Sequence, residues 1–169
     1  MQQTIITADT ADQVASRSEE LFRQGLFCAE SVLQALAESQ NIKNDLIPRI
    51  ATGFCSGIAR TDGLCGAASG AILAINMLCG RDDTTSTVEA NYTVVREFVR
   101  RFEAEFGSTN CRQLVGCHLG TPEGQTFFKE NNLWEKCLVY TREAGRFAVS
   151  SLQTRPTPIK VAFVEVSAR

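Results

Sequence analysis

A length of 169 residues predicts one domain with a hydrophobic core. The formal net charge is −2, and the sequence has no basic stripe of the kind that binds nucleic acid. Hydrophobic residues make up 44% of the chain and charged residues 21%, as in ordinary globular proteins, and the uncharged stretch 64–80 is too short to span a membrane. The N-terminus has no basic start followed by an apolar block, so we expect a cytoplasmic protein with neither nucleic-acid nor membrane partners.

Helical periodicity extends along most of the chain and predicts an all-α fold, a compact bundle of about six to eight helices. The expected domain covers residues 1–152, and residues 153–169 form a C-terminal tail. The predicted helices occupy, in chain order, residues 10–24, 28–39, 47–54, 65–79 and 88–106, a short segment after Asn110, a segment from Thr121 and Pro122, and a final helix from about Leu133.

Residue types at the ends of these segments predict some of the boundaries. Thr10 with Gln13, and Ser86 with Glu89, have the spacing of capping boxes, so each pair is expected to begin a helix. Gly107 is expected to end the long helix before it, because glycine tolerates the left-handed conformation that often follows a last helical turn.

The C-terminal tail has strand character. Pro156 and Pro158 end the helical pattern, and residues 159–166, IKVAFVEV, are rich in β-branched side chains. A lone strand needs a partner for its backbone hydrogen bonds, and within the chain only residues 3–7, QTIIT, have a similar character. We therefore expect a homodimer in which the tail pairs across or near the interface.

Seven cysteines are unusual in a chain expected in a reducing compartment. A helix over 65–79 separates Cys65 from Cys79 by about 21 Å, which excludes a disulfide between them because bonded cysteines have Cα atoms within about 7 Å. No CxxC pair occurs, which argues against a thioredoxin-type site and a zinc ribbon. Cys65 and Cys111 each begin a predicted helix, where exposed amides favour a thiolate, and Cys65 is therefore predicted to be the most reactive thiol.

Small residues form one face of the predicted helix after Cys65. Gly66 and Gly70 lie one turn apart with Ala67 between them, although a glycine inside a helix costs about 1 kcal/mol relative to alanine. Two compatible explanations are close packing of a second helix and space for a bulky group beside Cys65. Gly66, Ala67 and Gly70 are therefore predicted to shape the site.

Several stretches of the chain resemble one protein family. Residues 65–70, CGAASG, match the pattern CGAxxG, with support from GLFCAESVLQAL at 25–36, FGSTNCRQLVG at 106–116 and GTPEGQTFF at 120–128. On these residues the chain, over roughly positions 20–150, resembles the C-GCAxxG-C-C family of redox-active proteins. The resemblance implies a helical fold, redox chemistry with an unidentified partner, and four hallmark cysteines, here Cys55, Cys65, Cys111 and Cys137.

Three functions follow as alternatives. The first is thiol–disulfide or electron-transfer chemistry with Cys55, Cys65, Cys111 and Cys137 as catalytic residues of a thiol-dependent oxidoreductase. The second is an iron–sulfur or zinc site with the same four cysteines as metal ligands. The third is a non-catalytic helical binding module. Metal content distinguishes the second from the first, and free-thiol counts before and after oxidation distinguish the first from the third.

Overall fold

The computed structural model of the protein describes residues 7–154, and the regular elements within them are all helical. The all-α prediction is confirmed. In chain order the elements are α1 (Ala8–Arg23), α2 (Cys28–Ser39), a 3-10 helix (Arg49–Phe54), the short helical turn α3 (Cys55–Arg60), α4 (Gly66–Cys79), α5 (Glu89–Phe106), α6 (Cys111–Val115), α7 (Pro122–Glu130) and α8 (Trp134–Gln153).

Helix α4 lies at the centre of the bundle. It packs against α2, α5 and α8, and α1 covers α2 and makes its most extensive contact with α8. The stretch that contains α4 carries no charged side chain, and Ala67, Ala71 and Ala74 are completely buried. Because its sequence is small and apolar on almost every side, α4 can be surrounded by other helices.

The first helix begins earlier than predicted. Thr7 caps α1, its hydroxyl accepting a hydrogen bond from the Thr10 amide at 3.3 Å while the Thr10 hydroxyl accepts one from the Thr7 amide at 3.1 Å. The predicted pairing of Thr10 with Gln13 is therefore wrong, since Thr10 closes the capping box instead of opening it.

The predicted capping box before α5 is also wrong. The amide and the hydroxyl of Ser86 both donate to Asp83 Oδ1, at 2.8 and 3.1 Å, so Ser86 belongs to a turn around that aspartate. Helix α5 begins at Glu89 without a side-chain cap. Its predicted end is confirmed, because Gly107 adopts the left-handed conformation with φ of +80°.

Residues 1–6 and 155–169 lie outside the described part of the chain. The expected strands at 3–7 and 159–166, and the dimer that depends on them, therefore stay predictions. Among the described helices, none combines the length and the apolar character needed to cross a membrane.

Candidate functional site

The start of α2 places two cysteines next to each other. Glu30 is buried, and its carboxylate accepts hydrogen bonds from the Phe27 amide at 2.8 Å and from the Thr52 hydroxyl at 2.7 Å. These bonds fix the first turn of α2 to the 3-10 helix that precedes Cys55. Cys28, the first residue of α2, consequently lies beside the Cys55 thiol.

The small face of α4 lies against α2 and the Cys28 thiol. A Cβ atom on Gly70 would lie 2.7 Å from Ala29 Cα, so the backbones of α2 and α4 cross in direct contact at this point. A Cβ atom on Gly66 would collide with the Cys28 sulfur and lie 3.1 Å from Cys55 Cα. Gly70 thus permits close helix packing, and Gly66 leaves the space that the Cys28 thiol occupies.

A short antiparallel bridge brings the starts of α4 and α6 together. The Cys65 amide donates to the Thr109 carbonyl at 2.7 Å, and the Cys111 amide donates to the Gly63 carbonyl at 2.9 Å. Cys65 directly precedes α4 and Cys111 is the first residue of α6, so each cysteine lies where the paired backbone enters a helix. The backbone therefore holds Cys65 and Cys111 as neighbours although 45 residues separate them in the chain.

Asp62 fixes the loop that leads into this bridge. Its carboxylate accepts a hydrogen bond from Arg112 at 3.1 Å and lies 2.8 Å from His118 Nδ1, while its backbone carbonyl accepts one from the Asn110 side chain at 2.5 Å. Three groups from the segment around α6 thus converge on one residue of the loop, which keeps the two cysteine-bearing segments in register.

The turn between Cys55 and Cys65 is left-handed. The four residues 56–59 have φ between +51° and +71°, and Arg60 follows with φ of +68°. Each non-glycine residue in this conformation costs roughly 1–2 kcal/mol. Gly57 lies against the site, where an added Cβ would come within 2.5 Å of Cys111 Cβ. Strained backbone of this kind is concentrated at functional sites, because packing around the site must hold it in place.

A cavity of about 320 Å³ lies beside these segments and collects four thiols. The cysteines that line it come from four different helices or their caps: Cys28, Cys65, Cys111 and Cys137. The predicted site residues Cys65, Cys111 and Cys137 are thus brought together. Cys55 does not line the cavity, but its thiol contacts that of Cys28, which does.

The two remaining cysteines occupy different positions. Cys79, at the far end of α4 from Cys65, donates a hydrogen bond to the Ile75 carbonyl at 3.1 Å and does not line the cavity. The prediction that Cys79 stands apart is confirmed. Cys117 is partly exposed and lies close enough to Cys111 and Cys137 to affect the pKa of both.

Burial determines the protonation of the site thiols. It raises the pKa of Cys65 to about 12, more than the amide hydrogen bonds from Ala68 and Ala67 lower it. Burial likewise raises the pKa of Cys111 to about 11, and it raises the pKa of Cys137, with the nearby thiols of Cys65 and Cys111 adding to the effect. The predicted activated thiolate at Cys65 is therefore wrong, since the helix N-terminus is overcome by loss of water around the sulfur.

Alkaline pH is expected to destabilise the protein through these thiols. An unfolded cysteine ionises near pH 8.5, whereas folded Cys65 and Cys111 keep their protons until about pH 12 and 11. The stabilisation is complete below about pH 8.5 and is lost as pH rises to about 12, at up to roughly 1.4 kcal/mol per pH unit for each thiol. Urea denaturation between pH 7 and 10.5 measures the slope, which Cys65→Ala should reduce relative to the wild type. An equal slope in the Cys65 variant would contradict this.

The described residues do not form a metal site. Between positions 7 and 154, no three side chains of His, Cys, Asp or Glu are arranged so as to hold one metal ion. The predicted ligands Cys55, Cys65, Cys111 and Cys137 therefore do not fit the four-thiolate set of a zinc or iron–sulfur site in this arrangement.

Comparison with known proteins agrees with the cysteine-lined site. The family described as "Putative redox-active protein (C_GCAxxG_C_C)" matches residues 26–150, which include all four cysteines of the cavity. The chain belongs to this family. An uncharacterised protein of Archaeoglobus fulgidus is 29% identical over 158 residues, which cover 88% of this chain and 99% of that protein. No solved structure matches the chain.

Cys28 is the site residue of this C_GCAxxG_C_C member that sequence analysis did not select. Two signals were available in the sequence: Cys28 lies within the family-like stretch 25–36, and Glu30 follows two residues later, as at the start of a capped helix. Together they place Cys28 at a helix start, the same position that drew attention to Cys65 and Cys111.

Proposed function

We propose that the protein is a thiol-dependent oxidoreductase, a reducing dithiol that transfers two electrons to a disulfide. The observation that carries the proposal is the convergence of Cys65, Cys111 and Cys137 on one cavity wide enough to admit a reaction partner. Membership in a redox-active family supports the same chemistry.

The reaction is thiol–disulfide exchange. One cavity thiol loses its proton as its sulfur attacks a sulfur of the partner's disulfide, the partner's S–S bond breaks, and one partner thiol leaves with a proton. A second cavity thiol then attacks the mixed disulfide and releases the second partner thiol. Two protein thiols are thereby oxidised to one disulfide, and one disulfide is reduced to two thiols, with two electrons and two protons transferred.

The protonation of the site favours the reducing direction. A dithiol becomes a strong oxidant when its thiolate form is stabilised, because the reduced state is then preferred. Here burial raises the pKa values of Cys65, Cys111 and Cys137, which removes that stabilisation. The dithiol therefore gives up its electrons more readily than an exposed pair with low pKa values.

Disulfide mapping tests the proposal. Protein reduced and purified without oxygen is equilibrated with a glutathione redox buffer, alkylated and analysed by mass spectrometry. We expect one disulfide between two of Cys65, Cys111 and Cys137, and we expect serine variants of the two bonded residues to lose it. Cys79→Ser serves as the matched control and should oxidise like the wild type.

Two results would contradict the proposal. One is oxidation that leaves Cys65, Cys111 and Cys137 all free or joins them only to glutathione. The other is reduced protein that carries stoichiometric iron or zinc released by alkylation of the cavity cysteines, which would favour the metal alternative.

A further inference from the structure

Aromatic side chains line the same cavity as the thiols. Phe22 and Phe128 are partly buried there, while Phe27 and Trp134 are 55% and 37% exposed and surround the opening. Tyr140 also lines the cavity near Cys137, Cys65 and Cys111, and its hydroxyl donates to the Leu114 carbonyl at 3.1 Å. Exposed aromatic groups around a cavity of this size are typical of a small-molecule site.

The charged side chains that line the cavity have one sign. Arg60, from the left-handed turn, and Lys129, from the end of α7, are the charged side chains among its lining residues, and neither Asp nor Glu contributes. Within residues 7–154, neither cation forms a salt bridge, unlike Arg112 and Arg146, which pair with Asp62 and Asp12. Two exposed cations without carboxylate partners beside an apolar cavity leave a positive potential at its edge.

We propose that this cavity binds a small organic anion with a flat apolar body, held between the aromatic walls, and an acidic group held by Arg60 and Lys129. The inference concerns binding alone and goes beyond the proposed function, since it does not require the ligand to react with the thiols. Binding itself requires no bond change, because the wall and the two cations exist in the reduced protein.

The lining assigns a place to each part of the ligand. Its acidic group lies at Arg60 and Lys129 and its body along Phe27, Phe128 and Trp134, in the cavity that the thiols also line. An uncharged apolar molecule would contact the same aromatic side chains but would leave both cations without a counter-charge. Selection of the anion over its uncharged analogue is therefore the property that this lining predicts.

A matched pair of fluorescent probes tests the inference. The anion 8-anilinonaphthalene-1-sulfonate and its uncharged parent N-phenyl-1-naphthylamine differ only in the sulfonate. Trp134 is the single tryptophan of the chain and lines the cavity, so energy transfer from tryptophan to the probe reports occupancy at this place. The titrations use the reduced full-length protein.

We expect the anion to bind at least fivefold more tightly than the uncharged probe, with transfer from Trp134. Lys129→Gln and Arg60→Gln should each weaken anion binding about two- to fivefold, the size expected of exposed charge pairs, and leave the uncharged probe unaffected. Lys43→Gln removes an exposed lysine outside the cavity and is the matched control. Trp134→Phe should abolish transfer while the probe, excited directly, still binds.

Equal affinities for the two probes, or anion binding that neither cavity variant weakens, would overturn the inference. Binding without transfer from Trp134 would overturn it as well, since the probe would then lie elsewhere. These outcomes are independent of the disulfide mapping. Anion binding without a cavity disulfide would refute the proposed redox function alone, and a disulfide without selective anion binding would refute this inference alone.

Discussion

Gly70→Ala is expected to lower the free energy of unfolding by about 1–3 kcal/mol. Helix propensity alone predicts the opposite sign, because alanine is favoured over glycine by about 1 kcal/mol inside a helix. The collision decides, since the added Cβ would lie 2.5 Å from the Ala29 carbonyl oxygen and 2.7 Å from Ala29 Cα, both backbone atoms of α2. Backbone cannot rotate out of the way as a side chain can, so α2 must move away from α4.

Gly53→Ala is the matched control for this substitution. Gly53 lies in the 3-10 helix, and an added Cβ there would meet no atom within 4 Å. Its stability should stay within about 0.5 kcal/mol of the wild type. Urea denaturation of both variants provides the comparison. If Gly70→Ala proved as stable as the wild type, the close crossing of α2 and α4 would be incorrect.

Oxidation of the cavity thiols is expected to stabilise the protein by about 3.5–4.5 kcal/mol. A disulfide between any two of Cys65, Cys111 and Cys137 closes a loop of 26–72 residues, and such a loop restricts the unfolded chain by about this amount in the chain-entropy description. For a chain of this length the gain corresponds to a rise in Tm of roughly 7–18 °C.

Thermal unfolding of the reduced and oxidised protein measures this difference. Serine variants of the bonded cysteines should show the same Tm in both redox states, whereas Cys79→Ser should keep the full difference. A mapped cavity disulfide that left Tm unchanged would mean that its formation distorts the folded state as much as it restricts the unfolded one.

Local signals in the sequence identified most helices. The spacing of apolar residues from Val88 to Phe106 and the glycine at 107 gave α5 nearly its full extent, because a long amphipathic stripe and a left-handed end are both local properties. The caps of α1 and α5 were misassigned because several threonines, serines and acidic residues compete there, and only the hydrogen bonds of the folded chain decide among them.

The site depended on information that is not local. Helix position alone suggested a thiolate at Cys65, but the protonation of that sulfur depends on how much water the surrounding helices exclude. Cys28 lines the cavity in place of the predicted Cys55. This difference likewise depends on the contact of Gly66 with α2, which joins distant segments of the chain. The left-handed turn at 56–60 has non-glycine residues at most positions, so its sequence gave no indication of its conformation.

The contact between α1 and α8 determines when the site can form during synthesis. The ribosome delivers the N-terminal helix first, yet its main partner is the last described helix, so the bundle cannot close until nearly the whole chain has emerged. Cys28, Cys55 and Cys65 therefore leave the ribosome long before Cys137 and the helix that shields them. During that interval the nascent chain presents unprotected thiols, which the later assembly of the site buries.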